Sequence, residues 1–147
     1  MLLIKKFQYS EELSRFLRLS NCVYILILKN GSYYIGSVVN SNLLDRYERH
    51  ACFIQGTFNS VYLVLTVNKN VSIDAFVIER FMQNYAAFLL KVPKSKIYKC
   101  GPNGFVCTEK QMKIIIAHLL LDFYFKSIVT VNDNILGLAQ FNKLFKA

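Results

Sequence analysis

The sequence is short of acid. Nine Asp and Glu stand against 18 Lys and Arg in 147 residues, a formal net charge of +9, and that balance favours an anionic partner such as nucleic acid. A bilayer span is also missing, although the mean hydropathy is positive. The most apolar stretch, IIIAHLLLDFYFKSIV, is broken by His118, Asp122 and Lys126 and is too short to cross a membrane. No secretion leader is legible: MLLIKKFQ carries its charges after a very brief apolar run, the reverse of a signal peptide. The expectation is therefore an intracellular protein, nucleus and cytoplasm not being separable, with its four cysteines as thiols. There is no internal repeat, low-complexity tract or linker, so residues 1–147 read as one domain. With 54% apolar and 14% aromatic residues it has ample material for a core.

What is present is a mixed pattern of strands and helices. The stretch CVYILILKNGSYYIGS, 22–37, holds two β-rich runs around Asn30-Gly31 and predicts a hairpin. A two-residue turn at Asn30-Gly31 would put Tyr24 and Tyr34 on opposite faces. A three-residue loop, Lys29-Asn30-Gly31, closing in a left-handed Gly31, would put both on one face. The residues suit either turn. A short amphipathic helix is expected over 9–19 and another after NSN, with Leu44, Tyr47, Ala51 and Ile54 as its core stripe. A third strand fits 61–67, and a long helix capped by Ser72 runs up to Pro93. VPKSKIYKCGPNGFV reads as a loop or irregular hairpin. Thr108 is placed as the cap of an apolar, sandwiched helix through about Phe125, and a last helix spans about 135–146. The fold class is a small α/β layer fold: a central antiparallel sheet, made of the hairpin plus a third strand, flanked by helices, with a helical C-terminal extension over 91–147.

Four features point to chemistry. Tyr24 and Tyr34 form a pair whose facing depends on the turn. Arg46 and His50, four apart on the helix after the hairpin, project together, a guanidinium suited to phosphate and an imidazole suited to proton transfer; a solvated helix edge is the plain alternative. Glu79 falls among Ala75, Ile78, Met82 and Ala86 at helical spacing, where a carboxylate is costly unless paired or metal-bound. Lys91, Lys94, Lys96 and Lys99 lie in a stretch with no acid between Glu79 and Glu109, a rail for nucleic-acid phosphates or simply a solvated loop.

Together, Tyr24 in CVY, Tyr34-Ile35-Gly36, the Arg46-x3-His50 helix and Glu79 on the next long helix resemble the GIY-YIG nucleases over about residues 20–90. GPNGFVCTEKQMKIII resembles the closing segment of the branch found in phages and large DNA viruses. Cys22 and Val23 stand where the family name has Gly-Ile, and Asn84 and Asn103 are the candidates for the asparagine many relatives carry. The resemblance implies a metal-dependent endonuclease that hydrolyses DNA phosphodiester bonds with one divalent ion, Mg2+ or Mn2+. In it, Glu79 is the sole protein carboxylate on the metal and Arg46 stabilises charge on the phosphate. Tyr24 and Tyr34 position the attacking water, and His50 relays a proton. Gly31 and Gly36 are then the structural glycines of the turn region, and the three-residue turn is the expected one. The partner would be DNA, with no membrane, and with an oligomer or a protein partner open.

Two other classes compete. A nucleic-acid-binding module of the same fold would keep the surface without cutting. A zinc-stapled domain could use His50, Cys52, Cys100 and Cys107, although their spacing is not a standard one. His118, in an apolar helix, is expected to be a satisfied core histidine.

Overall fold

The computed structural model describes residues 20–42, 58–69 and 71–132. The helices expected over 9–19, 43–54 and 135–146 lie outside the described residues. Four antiparallel strands, β1 (Ser20–Leu28), β2 (Tyr33–Asn42), β3 (Phe58–Val67) and β4 (Val129–Asn132), form one sheet in the order β2-β1-β3-β4. The helices are α1 (Ala75–Leu90), α2 (Ser95–Tyr98), α3 (Glu109–Leu121) and α4 (Phe123–Ile128), with a 3-10 turn at Gly101–Asn103. The expected class, an antiparallel sheet flanked by helices with a helical C-terminal part, is the one observed. No helix among the described residues is long and apolar enough to cross a membrane.

β1 is nearly continuous in apolar side chains, as a central strand covered on both faces must be. Val23 and Ile25 point to one face and meet Ile35, Leu65, Ala75, Ile78, Met82, Met112 and Ile115 in the main core. Cys22, Tyr24, Leu26 and Leu28 point to the other and are equally buried. Between β1 and β3 the register shifts after Ile25, leaving Tyr62 without a partner residue on β1. This bulge is where the Tyr62 ring meets Tyr33 edge-on at 5.7 Å.

α1 starts two residues later than a Ser72 cap would allow: Asp74 is the cap, and its Oδ1 takes the Val77 N–H at 3.2 Å. A second cap comes from far along the chain. Asn21 sits at φ 47, a left-handed conformation Asn tolerates, beside a shift in the β1–β2 register. From there its Oδ1 accepts the Ala75 N–H at 2.8 Å. The start of β1 thus fixes the start of α1. The helix ends at Lys91, also left-handed (φ 56), whose N–H and that of Val92 return to the carbonyls of Phe88 (3.3 Å) and Ala87 (3.1 Å).

Four expectations are corrected beyond this point. The segment after Pro93 is neither loop nor hairpin alone: it forms α2 and the 3-10 turn before Phe105 pairs with Tyr33. The helix capped by Thr108, with Gln111 completing a capping box, stops at Leu121; Asp122 then caps α4 through the Phe125 N–H at 2.8 Å. That helix is not sandwiched. It buries Met112, Ile115 and Leu119 on one side and leaves Leu121 and His118 exposed. His118 is one step off the buried stripe, so it packs its ring against Tyr85 at 5.5 Å rather than entering the core.

Candidate active site

The site is built on the hairpin. Gly31 has φ 82, its N–H donates to the Leu28 carbonyl at 2.9 Å, and the Leu28 N–H donates to the Ser32 carbonyl at 2.9 Å. This is the three-residue turn with a left-handed glycine closing a bulge. The register follows: Leu26 opposite Tyr34, Tyr24 opposite Gly36, Cys22 opposite Val38. Tyr24 and Tyr34 therefore share a face of the sheet, as the three-residue loop requires. Tyr33 points to the opposite face and belongs to the main core.

Gly36 is not part of the turn. It lies inside β2, and what it provides is room. A Cβ there would fall 2.6 Å from the Tyr24 hydroxyl oxygen and 2.7 Å from Cζ. The Tyr24 ring thus leans from the central strand across the edge strand, and its hydroxyl comes to rest over Gly36. Tyr34 is two residues away on the same strand and face, about 7 Å along. Tyr24 is 1% exposed, whereas Tyr34 is half-buried.

β2 is the edge strand, and even-numbered residues use their backbone groups toward β1. The odd ones face outward and are satisfied from elsewhere. Tyr33 exchanges both backbone hydrogen bonds with Phe105 (2.9 and 2.8 Å), and the Ile35 carbonyl accepts from Gln83 Nε2 at 3.0 Å. Gln83 is itself buried on α1. Its bond ties the middle of α1 to this edge next to Gly36, as Asn21 ties the helix start further along. Glu79 precedes Gln83 by one turn, roughly 6 Å along the helix and on the same side. It is half-exposed on a face otherwise lined by buried Ala75, Ile78, Met82 and Ala86. α1 thereby carries Glu79 along the β2 edge from the Val23–Ile25 side of the sheet, the face opposite the one that Tyr24 and Tyr34 share.

Arg46 and His50 lie outside the described residues, as does Cys52. Lys91, Lys94, Lys96 and Lys99 are all exposed, on the end of α1 and around α2. Asn84 accepts a hydrogen bond from the Tyr98 hydroxyl, and Asn103 uses its backbone carbonyl to hold the hairpin turn, 2.6 Å from the Ser32 hydroxyl and 3.2 Å from Asn30 Nδ2. Among the described residues no three His, Cys, Asp or Glu side chains gather. A single carboxylate is compatible with magnesium, which keeps most of its water. Burial pushes the Cys100 thiol up and the Cys107 thiol up to about 11, so both are neutral near pH 7.

Sequence reasoning missed Gln83 and Arg80. Gln83 reads as an ordinary polar helix residue; only its place between Met82 and Ala86, inside the buried stripe, hints at a fixed partner. Arg80 is held by two rings, its guanidinium carbon 3.9 Å from the Tyr98 ring centre and 5.0 Å from that of Phe76, and it donates to Gln83 Oε1 at 3.3 Å.

No protein-family model, no curated protein and no solved structure matches the chain.

Proposed function

We propose that the chain is a metal-dependent endonuclease that hydrolyses DNA phosphodiester bonds with a site of the GIY-YIG type. The observation that carries this reading is the hairpin turn, which sets Tyr24 and Tyr34 on one face with the Tyr24 hydroxyl over Gly36, beside the edge that Gln83 binds to the Glu79-bearing helix. The basic segment over 91–99 supports it, since a nuclease must hold a polyanion.

In this reading Glu79 holds one Mg2+ or Mn2+, which when bound supplies positive charge to the phosphodiester. Tyr34, the more exposed of the pair, contacts and orients the attacking water. Tyr24, fixed in place by packing, supports it by steadying the reacting edge of the sheet. Arg46 offsets charge on the phosphate and His50 exchanges a proton with the attacking or leaving oxygen. Such chemistry depends on positioning and charge more than on covalent catalysis, and a hairpin held on both edges provides the positioning.

A specific observation favours a second reading, a non-cutting nucleic-acid-binding module of the same fold: Tyr24 is buried as deeply as the core aliphatics. Plasmid nicking in magnesium separates the two. The nuclease reading expects nicking that falls about 10²–10³-fold in Glu79→Ala; a wild-type protein that binds DNA yet nicks no faster than this variant leaves only the binding module.

A further inference from the structure

Arg80 is a cation with its position fixed and no carboxylate bonded to it among the described residues. Its contacts are the faces of Tyr98 and Phe76 and the amide oxygen of Gln83. Arginines placed in this way keep most of their donors available, because a ring face holds the plane of the guanidinium and leaves its N–H edge to bind. The acceptor that edge calls for is an anion; Glu79 adjoins Arg80 in sequence but is not among its contacts, and on the C-terminal side the chain supplies no Asp or Glu until Glu109.

The surroundings define the ligand further. Tyr98 is immobilised on its other side by its hydroxyl, which donates to Asn84. Lys94 is one turn before Tyr98, and the Tyr98 N–H bonds the Lys94 carbonyl at 2.9 Å, so both side chains project from one side of that turn. Lys91 closes the C-terminal end of α1, the helix that carries Arg80 and Asn84, and is exposed there. Lys94 thus shares a turn with the ring that holds Arg80, and Lys91, Lys96 and Lys99 are exposed along the same segment. Several exposed cations on a segment joined to a fixed arginine match a chain of phosphates better than a single small anion.

We propose that Arg80, set on the Tyr98 ring, binds a backbone phosphate of the nucleic-acid strand and connects the Lys91–Lys99 segment to the Glu79 edge. The proposal rests on the nucleic-acid reading above but not on cleavage. Arg80 is a binding residue here, and Tyr98 is a positioning residue for it.

The test is equilibrium binding of a fluorescent duplex oligonucleotide without divalent metal, measured over a series of salt concentrations. One lost phosphate contact lowers the magnitude of the slope of log K against log salt by about 0.9. Arg80→Gln is expected to weaken binding several-fold and to lower the slope by that amount, and Arg80→Lys to restore the slope. Tyr98→Leu should reproduce the Arg80→Gln loss, while Tyr98→Phe, which keeps the ring, should not. Folding of each variant is checked by its thermal unfolding midpoint. Unchanged affinity and slope in Arg80→Gln overturn the proposal while leaving the nuclease reading intact. Normal salt-dependent binding without magnesium-dependent nicking overturns cleavage and leaves Arg80 in place. A wild-type protein that binds no nucleic acid overturns both.

Discussion

The Tyr24 hydroxyl rests over Gly36, and no other residue type can stand beneath it: an added Cβ would be 2.6 to 2.8 Å from three atoms of the ring. Both residues are in neighbouring strands, directly opposite, with the backbone ladder on either side of them. Neither can yield without moving the sheet. Gly36→Ala is therefore expected to destabilise the protein by about 1–3 kcal/mol, the range of an overpacked core, as a lower urea midpoint. In the nuclease reading it also displaces Tyr24, so nicking falls by more than the loss of folded protein explains. A Gly36→Ala protein with unchanged stability would show that the Tyr24 ring can move aside at no cost.

Lys91 terminates α1 in a left-handed conformation that costs an ordinary residue about 1–2 kcal/mol and glycine almost nothing. Lys91→Gly should raise stability by roughly 0.5–1 kcal/mol after glycine's greater freedom in the unfolded chain is subtracted. The same substitution removes one exposed cation. Denaturant unfolding should thus show a gain where DNA titration shows a loss, and a loss in both would argue that the lysine side chain helps close the helix.

Stability should also decline in alkali. Burial raises the Cys107 thiol from 9.0 to about 11 and the Tyr33 phenol from 10.0 to about 12, the nearby Tyr62 adding to the second. Folding holds these protons more tightly than the unfolded chain does, so stability is full below the unfolded values. It falls as pH rises through 9 to 11 for Cys107 and 10 to 12 for Tyr33. Unfolding midpoints measured across that range should fall for the wild type, and Cys107→Ala should lose the lower part of the fall. An identical profile in this variant would assign the whole effect to other groups.

How far the sequence reached depends on the range of the interactions involved. Parity and turn chemistry are local, and they narrowed the hairpin to two turns that the residues suit equally; the resemblance called for the one that puts Tyr24 and Tyr34 together, and that turn formed. Glu79 was legible as an acid among apolar neighbours. Asp74 displaced Ser72 as the helix cap, a difference of two residues between equally good cap types. β4 was not read, since Val129–Asn132 looks like a helix tail until Asn68 holds it, its backbone N–H on the Ile128 carbonyl at 2.8 Å and its side chain on Ser127 and Thr130. Gln83 and Arg80 escaped for the same reason: their partners, Ile35 and Tyr98, are set by packing and not by spacing.

The clasp of Asn103 on the hairpin turn spans 73 residues from Asn30, and the adjoining Phe105 closes the outer rim of β2. During synthesis the two tyrosines are therefore made long before the segment that covers their strand. Until Phe105 emerges, the backbone of Tyr33 offers a ready template to any passing chain. A chain that ends before residue 100 would leave the outward backbone groups of Tyr33 without the partner that Phe105 supplies.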